Sequence, residues 1–217
     1  MNPSAASRSH SPSRRSRASL AAAAAVFLIC AGNATLGTSA ESRKKVDDNA
    51  FRCITEMTPV RHFYVDNLLG NLEETVKVAK SGTGGVYPEG TVLQLIPNEA
   101  MVKQAKGFNP ATRDWEFFYI DTSTEGSKIF RRGFADVNNR LGGNCFTCHV
   151  KAKPEFDFVC EQDHGCDPIP VTRAMFGALQ RTDPRCKNSA VVSAEDQEAL
   201  KQLGEVVKAL TEGRKNP

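Results

Sequence analysis

Three stretches of the chain carry the branched and aromatic side chains of β-strands, each bounded by turn residues. Thr91-Val92-Leu93-Gln94-Leu95-Ile96 follows a turn-rich run from Gly82 to Gly90, which includes Tyr87-Pro88-Glu89-Gly90. Beyond the turn Asn109-Pro110-Ala111-Thr112, a second strand is expected from Trp115 to Ile120 and a third from Ser127 to Phe134. Other stretches repeat at the helical period. Asn71-Leu72-Glu73-Glu74 reads as a cap and first turn, with Val76, Val78 and Ala79 following and Ser81-Gly82 as the stop, which predicts a helix over 71–80. A short helix is expected over 172–180. A longer one is expected after Ser193-Ala194-Glu195-Asp196, with Leu200, Leu203, Val206, Val207 and Leu210 in one stripe and Gly213 ending it. Strands that succeed one another without a helix between each favour antiparallel pairing. The expected class is α+β, a mainly antiparallel β-sheet with flanking helices.

The first 40 residues stand apart from that pattern. Arg8, Arg14, Arg15 and Arg17 precede the apolar run Leu20–Ala31, small residues lead to Thr38-Ser39-Ala40, and no acid occurs before Glu41. These are the parts of a secretory signal, and the apolar run is shorter than the roughly 20 residues a bilayer requires. An uncleaved anchor is the competing reading. Arg14-Arg15 lacks the apolar residues that follow the pair in twin-arginine signals, and Ile29 before Cys30 is bulkier than a lipoprotein signal carries. The expectation is a periplasmic or secreted protein with no membrane segment after removal of the signal. Glu41–Asn49 is polar and reads as a loose lead-in, within an N-terminal segment 41–57.

Charge changes once the leader is set aside. The chain carries 28 basic and 25 acidic residues, net +3. Four of the basic residues lie in the leader, leaving 24 against 25. A nucleic-acid surface, which needs a clustered basic excess, is not expected.

Of seven cysteines, two form Cys145-Phe146-Thr147-Cys148-His149. Cys-x-x-Cys-His is the attachment signature of c-type haem. Thiols three residues apart reach both vinyl groups of one porphyrin, and the adjacent imidazole reaches its iron from the same side. Cys145 and Cys148 are therefore the expected cofactor-binding residues and His149 the metal ligand of one covalent haem c. Three other readings compete: a thioredoxin-like redox pair, a zinc site completed by Cys160, Cys166 or His164, and a structural disulfide between the two cysteines. Cys53, Cys160, Cys166 and Cys186 allow three pairings. The turn-like Asp163-His164-Gly165 suggests Cys160 with Cys166, which leaves Cys53 with Cys186; free thiols or a second metal site are the alternatives.

The order Leu69-Gly70-Asn71, Tyr87-Pro88-Glu89-Gly90-Thr91-Val92, Asp114-Trp115-Glu116-Phe117 and Gly143-Asn144-Cys145-Phe146-Thr147-Cys148-His149, closed by Ala152-Lys153-Pro154-Glu155-Phe156-Asp157-Phe158-Val159, resembles the cytochrome P-460 family over about 60–160. The resemblance implies a mainly antiparallel β fold with haem c packed against the sheet, its distal face open. It implies hydroxylamine oxidation, or nitric oxide binding as in the cytochromes c-prime-beta. Domain limits follow as 58–186 for the haem domain and 187–217 for a C-terminal helical extension. The oxidising members tie a lysine to the haem rim from the strand after the Pro-acid-Gly turn. This chain has no lysine between Lys80 and Lys103, and the position falls near Leu95. Lys103 is expected on a solvated loop, reach to the haem being the competing reading.

The remaining candidates surround the expected haem. Met57, Met101, Met175, His62 and His164 are possible sixth ligands, any of which would make a six-coordinate electron carrier. Phe117, Phe118, Phe130 and Phe134 are candidate walls of an open pocket, and Glu116 and Asp121 candidate proton acceptors. Expected partners are a small nitrogen ligand and a redox protein, with a homodimer as one assembly to test. Whether the protein is a hydroxylamine or nitrogen-oxide oxidoreductase stays open at this level; no residue is assigned a catalytic role.

Overall fold

A computed structural model of the chain describes residues 45–161, 163–187 and 192–215. The expected export signal over 1–40 lies outside the described residues. Six strands follow one another across a single antiparallel sheet, in spatial order identical to chain order: β1 Thr58–Val60, β2 Phe63–Asn67, β3 Thr91–Ile96, β4 Glu99–Lys103, β5 Trp115–Ser123 and β6 Gly126–Gly133. Four helices accompany it: α1 Leu72–Lys80, α2 Cys145–His149, α3 Arg173–Arg181 and α4 Ala194–Lys215. The α+β class with an antiparallel sheet is thus observed.

The pleat divides this sheet into two apolar faces. Val65, Leu93, Met101, Trp115 and Phe117 pack on one side with α1 and the loop that carries α2. Val92, Ala100, Val102, Phe118 and Ile120 pack on the other. Alternation sends neighbours such as Phe117 and Phe118 to opposite faces. Burial on both faces explains why β3 and β5 read as nearly continuous apolar runs.

Of the described residues in the expected loose stretch 41–49, Val46 is buried and Lys45, Asp47, Asp48 and Asn49 are exposed, while the rest of the N-terminal segment joins the core. Val46, Phe51, Ile54 and Met57 are buried over the second face. The reason is geometric: that face leaves Phe118 and Ile120 to cover, and Phe51 meets Phe118 with ring centroids 5.0 Å apart. Polar residues hold the segment down, Asp48 accepting from the Ile129 N–H at 2.7 Å and Asp183 from the Ile54 N–H at 2.9 Å.

The predicted helices are present, with differences at their ends. Asn71 precedes α1, but its side chain caps nothing. Asn67 Oδ1 instead accepts from the N–H groups of Leu69 and Asn71, at 2.9 and 3.1 Å. Thr172 caps α3 by accepting from the Met175 N–H, while Met175 sulfur accepts from the Thr172 N–H. Gly213 does not end α4, which runs through it to Lys215; an isolated glycine costs an exposed helix only about 1 kcal/mol. Helix α4 packs on α3 through Ala199 and Leu203. The Gln180 side chain then ties α3 to the sheet, donating to the carbonyls of His62 and Leu95 at 2.9 and 2.7 Å. Among the described residues no helix is long and apolar enough to cross a membrane.

Candidate functional site

Helix α2 is a single turn, and its sequence explains how it holds its place. Asn144 accepts from the Thr147 N–H at 2.9 Å and from the Thr147 hydroxyl at 3.1 Å. Its amide nitrogen donates to the carbonyls of Phe134 and Ala135, at 3.1 and 2.9 Å. The Cys145 N–H donates to Val137 O at 2.9 Å. One asparagine therefore satisfies one open backbone donor of the turn and anchors it to the chain leaving β6.

That turn sets Cys145, Cys148 and His149 together on the wall of a cavity of about 520 Å³, within the size range of small-molecule and cofactor sites. Leu93, Leu95, Met101, Phe117, Val159 and Phe176 give it an apolar lining, with Glu99, Glu161 and Arg173 among its polar groups.

The chemistry of the three motif residues fits a covalently held haem. Cys145 and Cys148 are free thiols, whereas the other four described cysteines are paired. Burial, with the nearby Glu99 and Cys148, pushes the Cys145 thiol up to about 12. The two cysteines proposed as zinc partners are committed elsewhere, and His164 does not line the cavity. Cys160 and Cys166 are bonded to each other, and His164 stacks on Phe156 at 3.6 Å with its Nδ1 donating to Val159 O.

His149 is held as a neutral imidazole. Its Nδ1 lies 2.7 Å from the carbonyl oxygen of Phe158. Since a carbonyl can only accept, Nδ1 carries the hydrogen and Nε2 keeps a lone pair. Burial lowers the imidazole pKa against the opposing effect of that hydrogen bond. Phe117 packs on the ring at 5.2 Å.

The structure sorts the other candidates. Of the proposed walls, Phe117 lines the cavity. Phe118 belongs to the opposite face of the sheet, because it is the next residue on the same strand. Phe130 is 60 % exposed on the outer strand and Phe134 41 % exposed beside Phe146. Of the proposed sixth ligands, His62 and Met101 line the cavity. Met57 lies under the second face, and Met175 lies between α3 and α4. Glu116 is on the second face too, bound by Arg132 and Gln104. Asp121 is exposed near the β5–β6 turn.

Lys103 corrects a larger expectation. It lies at the end of β4, 6 % exposed, with Nζ 2.7 and 2.9 Å from the carboxylate oxygens of Asp157 and 2.7 Å from Arg113 O. A buried ammonium needs such partners, and Asp157 is supplied from 54 residues away. Leu95, where the oxidising relatives of the resembled family would carry a lysine, does line the cavity.

The sequence reading missed Glu99. This carboxyl lines the cavity and accepts the Arg140 N–H at 2.6 Å, and burial pushes it up to about 7. The alternation Glu99-Ala100-Met101-Val102-Lys103 was the available signal, obscured by a charge at each end. A second grouping, Cys53, Asp183 and Cys186, brings potential metal-binding atoms within 4.8 Å. Its sulfurs are joined in a disulfide and Asp183 is bound by Arg185, which leaves no donor set for an ion.

No known protein family, curated protein or solved structure matches this chain. The likeness to the cytochrome P-460 family therefore rests on the order of its motif segments.

Proposed function

We propose that the chain is an exported mono-haem c-type cytochrome that takes a small nitrogen ligand, nitric oxide in preference to hydroxylamine. The carrying observation is the meeting of two free thiols and a histidine with a free Nε2 lone pair on one apolar cavity. Cys145 and Cys148 would hold a haem through thioether bonds, and His149 would bind its iron through Nε2. When bound, the haem would supply an iron that exchanges one electron and takes a small ligand.

The remaining residues shape what enters. Leu93, Leu95 and Phe117 disfavour charged ligands and admit a neutral diatomic. Arg173, exposed on the cavity rim, would offer a cation to an anionic group of a bound haem. Glu99 can hold a proton at neutral pH. The lysine cross-link of the hydroxylamine oxidisers has no donor here, since Leu95 stands near its position and Lys103 is bound to Asp157. The amino-terminal 40 residues support export, and a redox protein is the implied electron partner.

A specific observation favours a second reading, a six-coordinate electron carrier. His62 lines the cavity, and its buried Nδ1 has no hydrogen-bond partner. Spectra of the ferrous protein decide between the two. Ready shifts with NO and CO support the open site; a low-spin spectrum unmoved by either, and restored to ligand binding by His62→Ala, supports the carrier. Both readings fail if mass spectrometry of material made with haem-maturation machinery finds Cys145 and Cys148 unmodified.

A further inference from the structure

The loop after α2 turns back under His149 through two successive non-glycine residues in the left-handed region, Asp157 at φ 50° and Phe158 at φ 65°. L-residues hold that conformation only when their surroundings impose it. Here the constraint is visible. Lys103 Nζ donates to both carboxylate oxygens of Asp157, at 2.9 and 2.7 Å, and the Tyr87 N–H donates to Oδ2 at 3.0 Å. The Trp115 indole N–H donates to the carbonyl of Asp157 itself at 2.7 Å. Side chain and main chain of one residue are therefore fixed from β4, β5 and the loop before β3. The next carbonyl along, that of Phe158, accepts from His149 Nδ1–H at 2.7 Å. The Phe158 ring is held in turn by the Arg113 guanidinium, 4.5 Å from its centroid.

We infer that the buried Lys103–Asp157 pair is a positioning device for His149, setting the Phe158 carbonyl against Nδ1–H and so fixing the tautomer and basicity of the ring. The inference rests on the reading that His149 binds the haem iron through Nε2. A carbonyl gripping the far nitrogen gives the imidazole more anionic character and strengthens its donation to a metal. Neither Lys103 nor Asp157 lines the cavity, so the pair would act through the Phe158 carbonyl at Nδ1 and not as catalytic residues.

Resonance Raman spectra of the ferrous, haem-loaded protein test this through the iron–imidazole stretch. Asp157→Asn keeps an acceptor for the Tyr87 N–H but loses the charge that holds Lys103, and its stretch is expected to move to lower frequency at unchanged haem content. Lys103→Arg, which keeps the charge and alters the reach, is the second variant should Asp157→Asn fail to fold; its stretch is also expected to shift. Asp183→Asn disrupts another buried pair, with Arg185, remote from His149, and should leave the stretch in place. The inference is overturned if the Asp157 and Lys103 variants keep the wild-type frequency, or if Asp183→Asn lowers it equally. If wild-type protein shows covalent haem but no iron–imidazole band, or a band that survives His149→Ala, the ligand assignment fails first and takes this inference with it.

Discussion

The two disulfides should differ about 2.5-fold in their contribution to stability, and the difference can be worked from their loops. Cys53–Cys186 joins residues 133 apart, and Cys160–Cys166 joins residues 6 apart. Loop-closure entropy in the unfolded chain then assigns roughly 5 kcal/mol to the long bridge and roughly 2 kcal/mol to the short one. The perturbation is a pair of double variants, Cys53→Ala/Cys186→Ala and Cys160→Ala/Cys166→Ala, each with the other bridge intact by thiol blocking and mass. Urea unfolding followed by circular dichroism measures the outcome. With a slope of about 2 kcal/mol/M, the midpoint falls by about 2.5 M without the long bridge and about 1 M without the short one. The ranking should invert at the cavity. Cys160 and Cys166 line it, while Cys53 and Cys186 lie at the N-terminal segment, so only the short bridge should alter ligand entry. Equal stability losses, or a larger loss from the short bridge, would refute the loop argument.

Glu99→Gln should change how stability depends on pH. The Glu99 carboxyl is raised from 4.5 to about 7, so its folding contribution is complete below pH 4.5 and is lost as pH climbs through 7. That shift is worth about 3 kcal/mol. The neutral variant should gain about that much on wild type between pH 4.5 and pH 8, and a pH-independent difference in urea midpoints would show a solvated Glu99. Phe117→Ala and Phe118→Ala should each cost about 3–5 kcal/mol as cavity-forming core changes. Only the first should shift the Soret band or ligand affinity, because the two rings lie on opposite faces; equal spectral effects would contradict the register.

Much of the architecture was readable from pattern, and the failures share a cause. β3 and the helices announced themselves through runs and periodicity that need no distant partner. β4 did not, because Glu99 and Lys103 at its ends look like solvent positions. They are tolerated inside only by the Arg140 N–H for one and by Asp157 for the other. β1 and β2 are short, and their apolar positions alternate over too few residues to stand out. Within the polar stretch 41–49 the lone apolar Val46 made no pattern, yet it packs with Phe51 and Ile54 on a waiting sheet face.

For the site, the spacing Cys145, Cys148, His149 was determined by sequence alone, because one helical turn is a local structure and carries its own geometry. Both disulfide pairings were also reachable, one from a tight turn and the other by elimination. Which aromatic faces the cavity, which carboxyl enters it, and what grips the far nitrogen of His149 were decided only in three dimensions. Those are choices between the two sides of a sheet and between residues dozens of positions apart. They depend on register and on the burial of charge, and neither has a local signature in the chain.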